Sequence, residues 1–393
     1  MILRFQASHR CSTRLARVYG PHLPRDPRRS LLTLAIETSC DDTSVALVEK
    51  HHDHSSTGGS LLAASIYFQE KITSNNLVYR GVHPIVSLDS HQQNLAKLVR
   101  RAFPHLPEWN LNGYHAPLNI LQGNTQLRKQ KPDFISVTRG PGMRSNLSTG
   151  LDTAKGLAIA WDIPFVGVNH MQAHALTPRL VSAVNGIITE HASPDFPFLT
   201  LLVSGGHTML IHSQSLNNHP TLASTLDIAI GDAIDKMARS ILPDDVLRSA
   251  TSTMYGPMLE AFAFSKGEID YNYTAPRSRQ EEVERKISRW GWSFGIPLAE
   301  SSSGSRSKEM VYTFSGLCTH ANRIVQNLPR TFEIEERRAL AREVMRVAFE
   351  HLASRVLLAL AATIETPQVL VVSGGVAANK YLRHVYVVLP MHL

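Results

Sequence analysis

The stretch Leu31-Leu-Thr-Leu-Ala-Ile-Glu-Thr-Ser-Cys-Asp-Asp-Thr-Ser-Val-Ala-Leu-Val48 decides the fold. Two apolar, strand-like runs, 31–36 and 44–48, flank the polar turn Glu37-Thr-Ser-Cys-Asp-Asp-Thr43 and predict a β-hairpin that opens the fold. Working outward, 51–60 reads as a polar loop. Helical spacing of Leu88, Leu95, Leu98, Val99 and Ala102 predicts a helix over 87–103. The Asn-, Gln-, Pro- and Gly-rich stretch 107–132 reads as an exposed insertion. A strand at 134–137, a helix at 145–161, a buried strand at 165–168 and a helix at 171–180 then alternate, which argues for an α/β fold. The second half follows the same logic. A strand at 198–203 ends in Ser204-Gly205-Gly206, and one at 369–372 ends in Ser373-Gly374-Gly375, like an internal echo. Between them lie a helix at 228–241, a polar Ser- and Arg-rich stretch at 266–310, and a long helix at 331–364.

The net charge of +7 suggests nucleic acid until it is divided along the chain. Residues 1–30 hold seven arginines, no lysine and one acid, Asp26, so all but one of the surplus charges sit there. The remaining body is nearly neutral and gives no bulk-charge argument for RNA binding. An Arg-rich, acid-poor start with Arg10, Arg14 and Arg17 on one helical face reads as a mitochondrial transit peptide over 1–30. Three cysteines, Cys11, Cys40 and Cys318, are too few and too scattered for a disulfide framework or a Cys-rich zinc site. No apolar run approaches the roughly 20 residues that span a bilayer.

Three constellations carry chemistry. The two Ser-Gly-Gly turns follow apolar strands, where glycine lets backbone N–H groups approach phosphate oxygens, or merely supplies backbone freedom. No Walker A or Gly-x-Gly-x-x-Gly sequence is present. In Asn169-His170-Met-Gln-Ala-His174 the histidines stand at i and i+4, so on a helix both imidazoles leave one face and can share a metal. Met171 occupies the position where a zincin protease has Glu. In Asp227-Ile-Ala-Ile-Gly231-Asp232-Ala-Ile-Asp235-Lys236, Asp232 and Asp235 share a helix face, either as a solvated ion-pair face or as a carboxylate reaching a ribose hydroxyl. Asp41 and Asp42 read as turn residues or as organisers of a phosphate or cation.

The ordered series Leu34-Ala-Ile-Glu-Thr-Ser-Cys-Asp-Asp-Thr43, Gly140-Pro-Gly142, His170-Met-Gln-Ala-His174, Leu202-Val-Ser-Gly-Gly-His-Thr208, Ile230-Gly-Asp-Ala-Ile-Asp-Lys236, Phe314-Ser-Gly-Leu317 and Ser373-Gly-Gly-Val-Ala-Ala-Asn379 resembles the tRNA threonylcarbamoyladenosine synthase family over about 31–383. The resemblance implies the actin-like ATPase superfold, two RNase H-like lobes with a nucleotide cleft between them. The expected division is a leader at 1–30, an N-terminal lobe at 31–185 and a C-terminal lobe at 195–393. It assigns Leu202, Val203, Ser204, Gly205, Gly206, Asp235, Gly256 and Asn379 to a threonylcarbamoyl adenylate, and His170 and His174 to one divalent metal ion per subunit, zinc or iron. The implied reaction moves the threonylcarbamoyl group from threonylcarbamoyl-AMP, supplied by a companion synthase, to the exocyclic amine of the adenosine at position 37, 3′ to the anticodon. The implied substrates are mitochondrial tRNAs reading codons that begin with adenine. A homodimer in the mitochondrial matrix, with no membrane partner, is expected. No side chain in the motifs is an obvious nucleophile, so direct transfer is expected and no catalytic residue is assigned.

Two departures qualify this. In Arg80-Gly-Val-His-Pro-Ile-Val-Ser-Leu-Asp-Ser-His91, Ile85 and Asp89 stand where bacterial members have Glu and Arg, which resembles the mitochondrial branch. After Asn379, nothing resembles the family's Thr-Asp-Asn motif, whose Asp is a further metal ligand. A C-terminal lobe truncated at its end, weak metal binding and little transfer are therefore expected. Two other readings compete: a small-molecule kinase or ATPase of the same superfold, and a truncated, catalytically silent nucleotide-binding chain.

Overall fold

A computed structural model describes residues 30–52, 62–79, 81–111, 113, 115–184, 193–277, 281, 284–298, 306–327, 333–362 and 369–388. The expected leader up to residue 29 and most of the polar loop at 51–60 lie outside the described residues. The chain divides into two compact units, Met1–Ser193 and Pro194–Leu393.

In the first unit the opening hairpin is β1 (Leu31–Glu37) and β2 (Asp42–His52), antiparallel, with Leu34 opposite Leu47. Side chains alternate along β1, so Leu32, Leu34 and Ile36 are buried while their neighbours are half-buried. β3 (Leu62–Thr73) pairs antiparallel to β2. The chain then forms α1 (Pro84–Ala102), whose Leu95, Leu98, Val99 and Ala102 follow the helical stripe and are buried. Pro84 stands in its first turn, where a missing N–H costs nothing. Pro104 breaks the helical pattern just beyond its end.

Stretch 107–132 is not a plain exposed insertion. It holds a hairpin, β4 (Pro117–Gln122) with β5 (Thr125–Gln130), turned at Gly123, whose φ is +58°, and anchored by buried Ile120. β6 (Phe134–Gly140) lies parallel to β1, and α2 (Arg144–Trp161) leads to β7 (Phe165–Asn169), parallel to β6. β7 was expected to be buried. It is the last strand of the order β3-β2-β1-β6-β7 and is partly open, because an edge strand has a neighbour on one side only. α3 (His170–Val184) closes the unit.

The second unit is built around β8 (Phe198–Val203), buried along its whole length. β9 (Thr208–Ser213) and β10 (Thr221–Thr225) continue it antiparallel. α4 (Ile230–Ile241) presents Ile230, Ala233, Ile234, Met237, Ala238 and Ile241 to the core. α5 (Asp244–Arg248) and α6 (Gly256–Ala263) follow. The stretch 266–310 is polar in sequence, yet buried Tyr273, Phe294 and Ile296 pin it to the core. β11 (Val311–Tyr312) pairs parallel to β10, followed by α7 (Ser315–Asn327) and the central α8 (Ile334–Ala362). β12 (Leu370–Ser373) pairs parallel to β8, with Ser373 beside Leu202, and α9 (Lys380–Val388) is the final described element.

The sheet order is β11-β10-β9-β8-β12. Its β10-β9-β8-β12 portion repeats β3-β2-β1-β6: three antiparallel strands, then one parallel to the first. The two strands ending in Ser-Gly-Gly are therefore neighbours in one sheet and not copies of each other. The repeat pairs the turn after β1 with Ser204-Gly-Gly, and Gly140-Pro-Gly142 with Ser373-Gly-Gly.

Among the described residues no helix is long and apolar enough to cross a membrane.

Candidate functional site

In the first unit the motif residues gather where β1, β6 and β7 end. The turn after Glu37 is held from several directions. Met143 donates its N–H to the Ser39 carbonyl at 2.9 Å, and Thr38 Oγ1 donates to the Asn146 carbonyl at 2.8 Å. Asn146 Nδ2 donates to the Cys40 carbonyl at 2.6 Å. His91 Nε2 meets the same carbonyl at 2.9 Å and must be the donor there, while its Nδ1 lies 2.7 Å from Thr43 Oγ1. A Cβ on Gly142 would stand 2.6 Å from the Ser39 carbonyl, and one on Gly150 2.5 Å from Thr38 Oγ1, so both positions need glycine for close approach.

Asp42 accepts from Lys71 Nζ at 2.8 Å and Thr73 Oγ1 at 2.5 Å, contacts that tie β2 to β3. The Asp41 carbonyl accepts from Ser74 N–H at 2.9 Å. The phosphate or cation role expected for this pair draws no geometric support from these contacts.

His170 opens α3 because Asn169 caps it: Asn169 Oδ1 accepts from Met171 N–H at 2.9 Å and Gln172 N–H at 3.2 Å. That start places His174 one turn on, with the two Nε2 atoms 3.2 Å apart and the rings nearly perpendicular. Two nitrogens bound to one tetrahedral ion at about 2.05 Å stand about 3.3 Å apart. Two imidazole lone pairs this close repel unless a proton or a cation lies between them. The pair thus fits two positions of one metal ion. Among the described residues no group of three or more His, Cys, Asp or Glu converges into a fuller cage.

Glu37 lies behind this pair. Its Oε1 accepts from Ser39 N–H at 2.6 Å, its Oε2 accepts from Thr138 Oγ1, and Oε2 stands 3.4 Å from His170 Nδ1. Burial alone would raise this carboxyl, but hydrogen bonds from His170, Ser39 and Thr138 outweigh it and hold the group down at about 2.

In the second unit Leu202, Val203 and the turn 204–206 lie at the end of β8. Gly205 and Gly206 are exposed, and nothing lies within 4 Å of where a side chain would begin. Gly231 and Gly374 are different. A Cβ on Gly231 would stand 2.7 Å from the Ser204 carbonyl, and one on Gly374, at φ +105°, would stand 2.3 Å from the Val203 carbonyl. Those two glycines bring α4 and the second Ser-Gly-Gly turn against the first. Gly231 N–H also donates to the Ser204 carbonyl at 3.1 Å.

Asp235 reaches from α4 to the start of α6, where its Oδ1 accepts from Tyr255 N–H at 2.7 Å and Gly256 N–H at 2.8 Å. Burial pushes this carboxyl up to about 6 despite those bonds. Lys236 pairs instead with Asp232, at 2.7 Å. From α6, Glu260 Oε1 accepts from Lys380 N–H at 2.7 Å and Tyr381 N–H at 3.0 Å, and Asn379 Oδ1 caps the same helix through Leu382 N–H at 2.8 Å. Leu202–Gly206, Asp235, Gly256 and Asn379 are thereby linked in a ring at one end of the sheet. Asp227 holds the Phe314-Ser-Gly-Leu317 motif, accepting from Thr313 Oγ1 at 2.6 Å, Phe314 N–H at 3.0 Å and Ser315 N–H at 3.1 Å. A cavity of about 350 Å³ opens beside that motif, lined by Arg285, Phe294, Ile296, Thr313 and His320 among others.

Glu37, Thr138, Asp227 and Glu260 are the residues that sequence reasoning missed. Only Glu37 and Asp227 had a signal, as carboxylates within the motifs Leu34–Thr43 and Asp227–Lys236.

The profile of the family described as TsaD, tRNA N6-adenosine threonylcarbamoyltransferase, matches residues 118–388, more than half of the chain. The chain belongs to this family. It is an acyltransferase family. Among curated relatives, the mitochondrial tRNA N6-adenosine threonylcarbamoyltransferase of Schizosaccharomyces pombe is 34% identical over 358 residues, covering 90% of this chain and 72% of that protein. The tRNA N6-adenosine threonylcarbamoyltransferase of Gluconobacter oxydans is 30% identical, covering 92% of this chain and 80% of its own length. That of Nitrosospira multiformis is 31% identical, covering 90% and 81%. The same mixed α/β sheet topology recurs in each unit.

Proposed function

We propose that this chain transfers the threonylcarbamoyl group of threonylcarbamoyl-AMP to the exocyclic amine of the adenosine at position 37, 3′ to the anticodon, in mitochondrial tRNAs reading codons that begin with adenine. Family membership supports the reaction class, and the ring of Leu202–Gly206, Asp235, Gly256 and Asn379 is the observation that carries the adenylate assignment. The mitochondrial setting draws on the Arg-rich first 30 residues and on the mitochondrial relative from S. pombe.

In this reading the open backbone of Gly205 and Gly206 receives the phosphate of the adenylate, with N–H groups that stabilise the charge left on departing AMP. Asp235, fixed through Oδ1, offers its second oxygen to a ribose hydroxyl. The adenosine amine attacks the carbamoyl carbon, a C–N bond forms, the C–O bond to phosphate breaks, and the amine proton leaves to solvent or to the phosphate. His170 and His174 would hold a zinc or iron(II) ion, which when bound supplies Lewis acidity toward the carbonyl or a seat for the threonyl carboxylate. The chain acts as a homodimer that takes its donor from a companion synthase.

Incubation of the purified chain with that synthase, threonine, bicarbonate, ATP and tRNA tests the proposal. The modified nucleoside should appear in tRNA only when both proteins are present. Phosphoryl transfer to a small acceptor would favour the kinase reading, and nucleotide binding without any product would favour a silent chain.

A further inference from the structure

We propose that Glu37 is a positioning residue: it fixes His170 in the Nδ1–H tautomer, so that His170 Nε2 is presented beside His174 Nε2 as a metal-ligating lone pair. The inference rests on the reading of the two histidines as metal ligands and adds a residue to which no role had been assigned.

The argument is one of donors and acceptors. Glu37 accepts two hydrogen bonds, from Ser39 N–H on Oε1 at 2.6 Å and from the Thr138 hydroxyl on Oε2, and both favour its ionised form. An ionised carboxylate has no proton to give, so the contact from Oε2 to His170 Nδ1, at 3.4 Å, requires the proton to sit on Nδ1. The Ser39 hydroxyl, 3.3 Å from the same nitrogen, can turn to suit and imposes no tautomer. A proton on Nδ1 leaves the Nε2 of a neutral imidazole as a lone pair, and that atom faces His174 Nε2 at 3.2 Å. Without metal, His174 fills the gap by donating its own Nε2–H. When a cation takes that place, the His174 proton moves to Nδ1 or to solvent, while His170 needs no rearrangement. Carboxylates that orient ligating imidazoles in this way typically govern metal affinity by about 10–100-fold.

The arrangement is set by the fold. β1 delivers Glu37, β6 delivers Thr138 and the start of α3 delivers His170, all within the first unit. Glu37 lies outside direct reach of a shared ion in this account, since its bonded oxygens face the ring's far nitrogen and the chain's own donors.

The test has two arms on the full chain. Nitrogen-15 NMR of the histidine rings in the metal-free protein should show His170 as the Nδ1–H tautomer and, in Glu37→Gln, a shift toward Nε2–H. Zinc titration should show at least about tenfold weaker binding in Glu37→Gln with unchanged circular dichroism. His174→Ala serves as the control on the metal reading. Unchanged zinc affinity in Glu37→Gln while His174→Ala loses binding would overturn the role of Glu37 and leave the metal site standing. If the wild-type chain binds no zinc, the metal reading fails, and the tautomer still decides Glu37: a wild-type His170 carrying its proton on Nε2 would overturn the inference, even if Glu37→Gln does not fold.

Discussion

Replacing Asp235 by asparagine should stabilise the chain at neutral pH and weaken its hold on an adenylate. Asp235 Oδ1 accepts two backbone N–H bonds at the start of α6, which asparagine's carbonyl can also accept. What asparagine lacks is the charge, and burial has raised the Asp235 carboxyl from 3.8 to about 6. The folded chain therefore holds a proton that the unfolded chain has lost across that window. The stabilisation is complete below the unfolded value and is lost as pH rises through about 6. A shift of about two units corresponds to about 3 kcal/mol at most, and solvent at a partly open site reduces it. Urea denaturation at about pH 4.5 and about pH 8 should show the advantage of Asp235→Asn over wild type widening by about 1–2 kcal/mol. Calorimetric titration with a non-hydrolysable adenylate should meanwhile show about tenfold weaker binding, the loss of one charge-assisted hydrogen bond. An advantage that does not change with pH would refute the burial argument, and unchanged adenylate affinity would remove Asp235 from the nucleotide site.

The glycines separate packing from binding. Gly374→Ala, forced to φ +105° and against the Val203 carbonyl, should cost about 3 kcal/mol or more in denaturation experiments. Gly205→Ala, with open space around it, should leave the melting temperature unchanged and lower adenylate affinity. Glu260→Ala should remove the bonds to Lys380 and Tyr381 N–H and cost about 1–2 kcal/mol by urea denaturation, with a smaller loss for Glu260→Gln. A reporter fused to residues 1–30 should enter mitochondria, and exchanging the seven arginines for glutamine should leave it in the cytosol. A cytosolic wild-type fusion would refute the localisation.

The opening hairpin was legible because two apolar runs and a polar turn leave few alternatives, and the histidine pair because i, i+4 spacing has one meaning on a helix. β3 was not read: Gln69, Glu70 and Lys71 interrupt its apolar pattern because an edge strand leaves much of its surface to water. The hairpin within 107–132 was hidden for a related reason, since most of its residues are exposed and its composition is that of a loop. Glu37 reads in sequence as the first residue of a turn. Its partners Thr138 and His170 lie 101 and 133 residues away, and no local pattern encodes such a meeting. Glu260 and the helix it caps are separated by 120 residues and were missed likewise. The Ser-Gly-Gly echo shows the opposite case, a visible repetition whose meaning was adjacency in one sheet.

The central claim is direct transfer, and a single labelled donor tests it. Threonylcarbamoyl-AMP carrying isotope in the carbamoyl carbon would be given to the purified chain with saturating zinc or iron(II) and a tRNA transcript, without ATP or synthase. The account expects label on the adenosine 3′ to the anticodon, with one AMP released per label transferred, and little transfer when metal is withheld. AMP release with no label in tRNA, or transfer to a transcript whose target adenosine has been replaced, would contradict it.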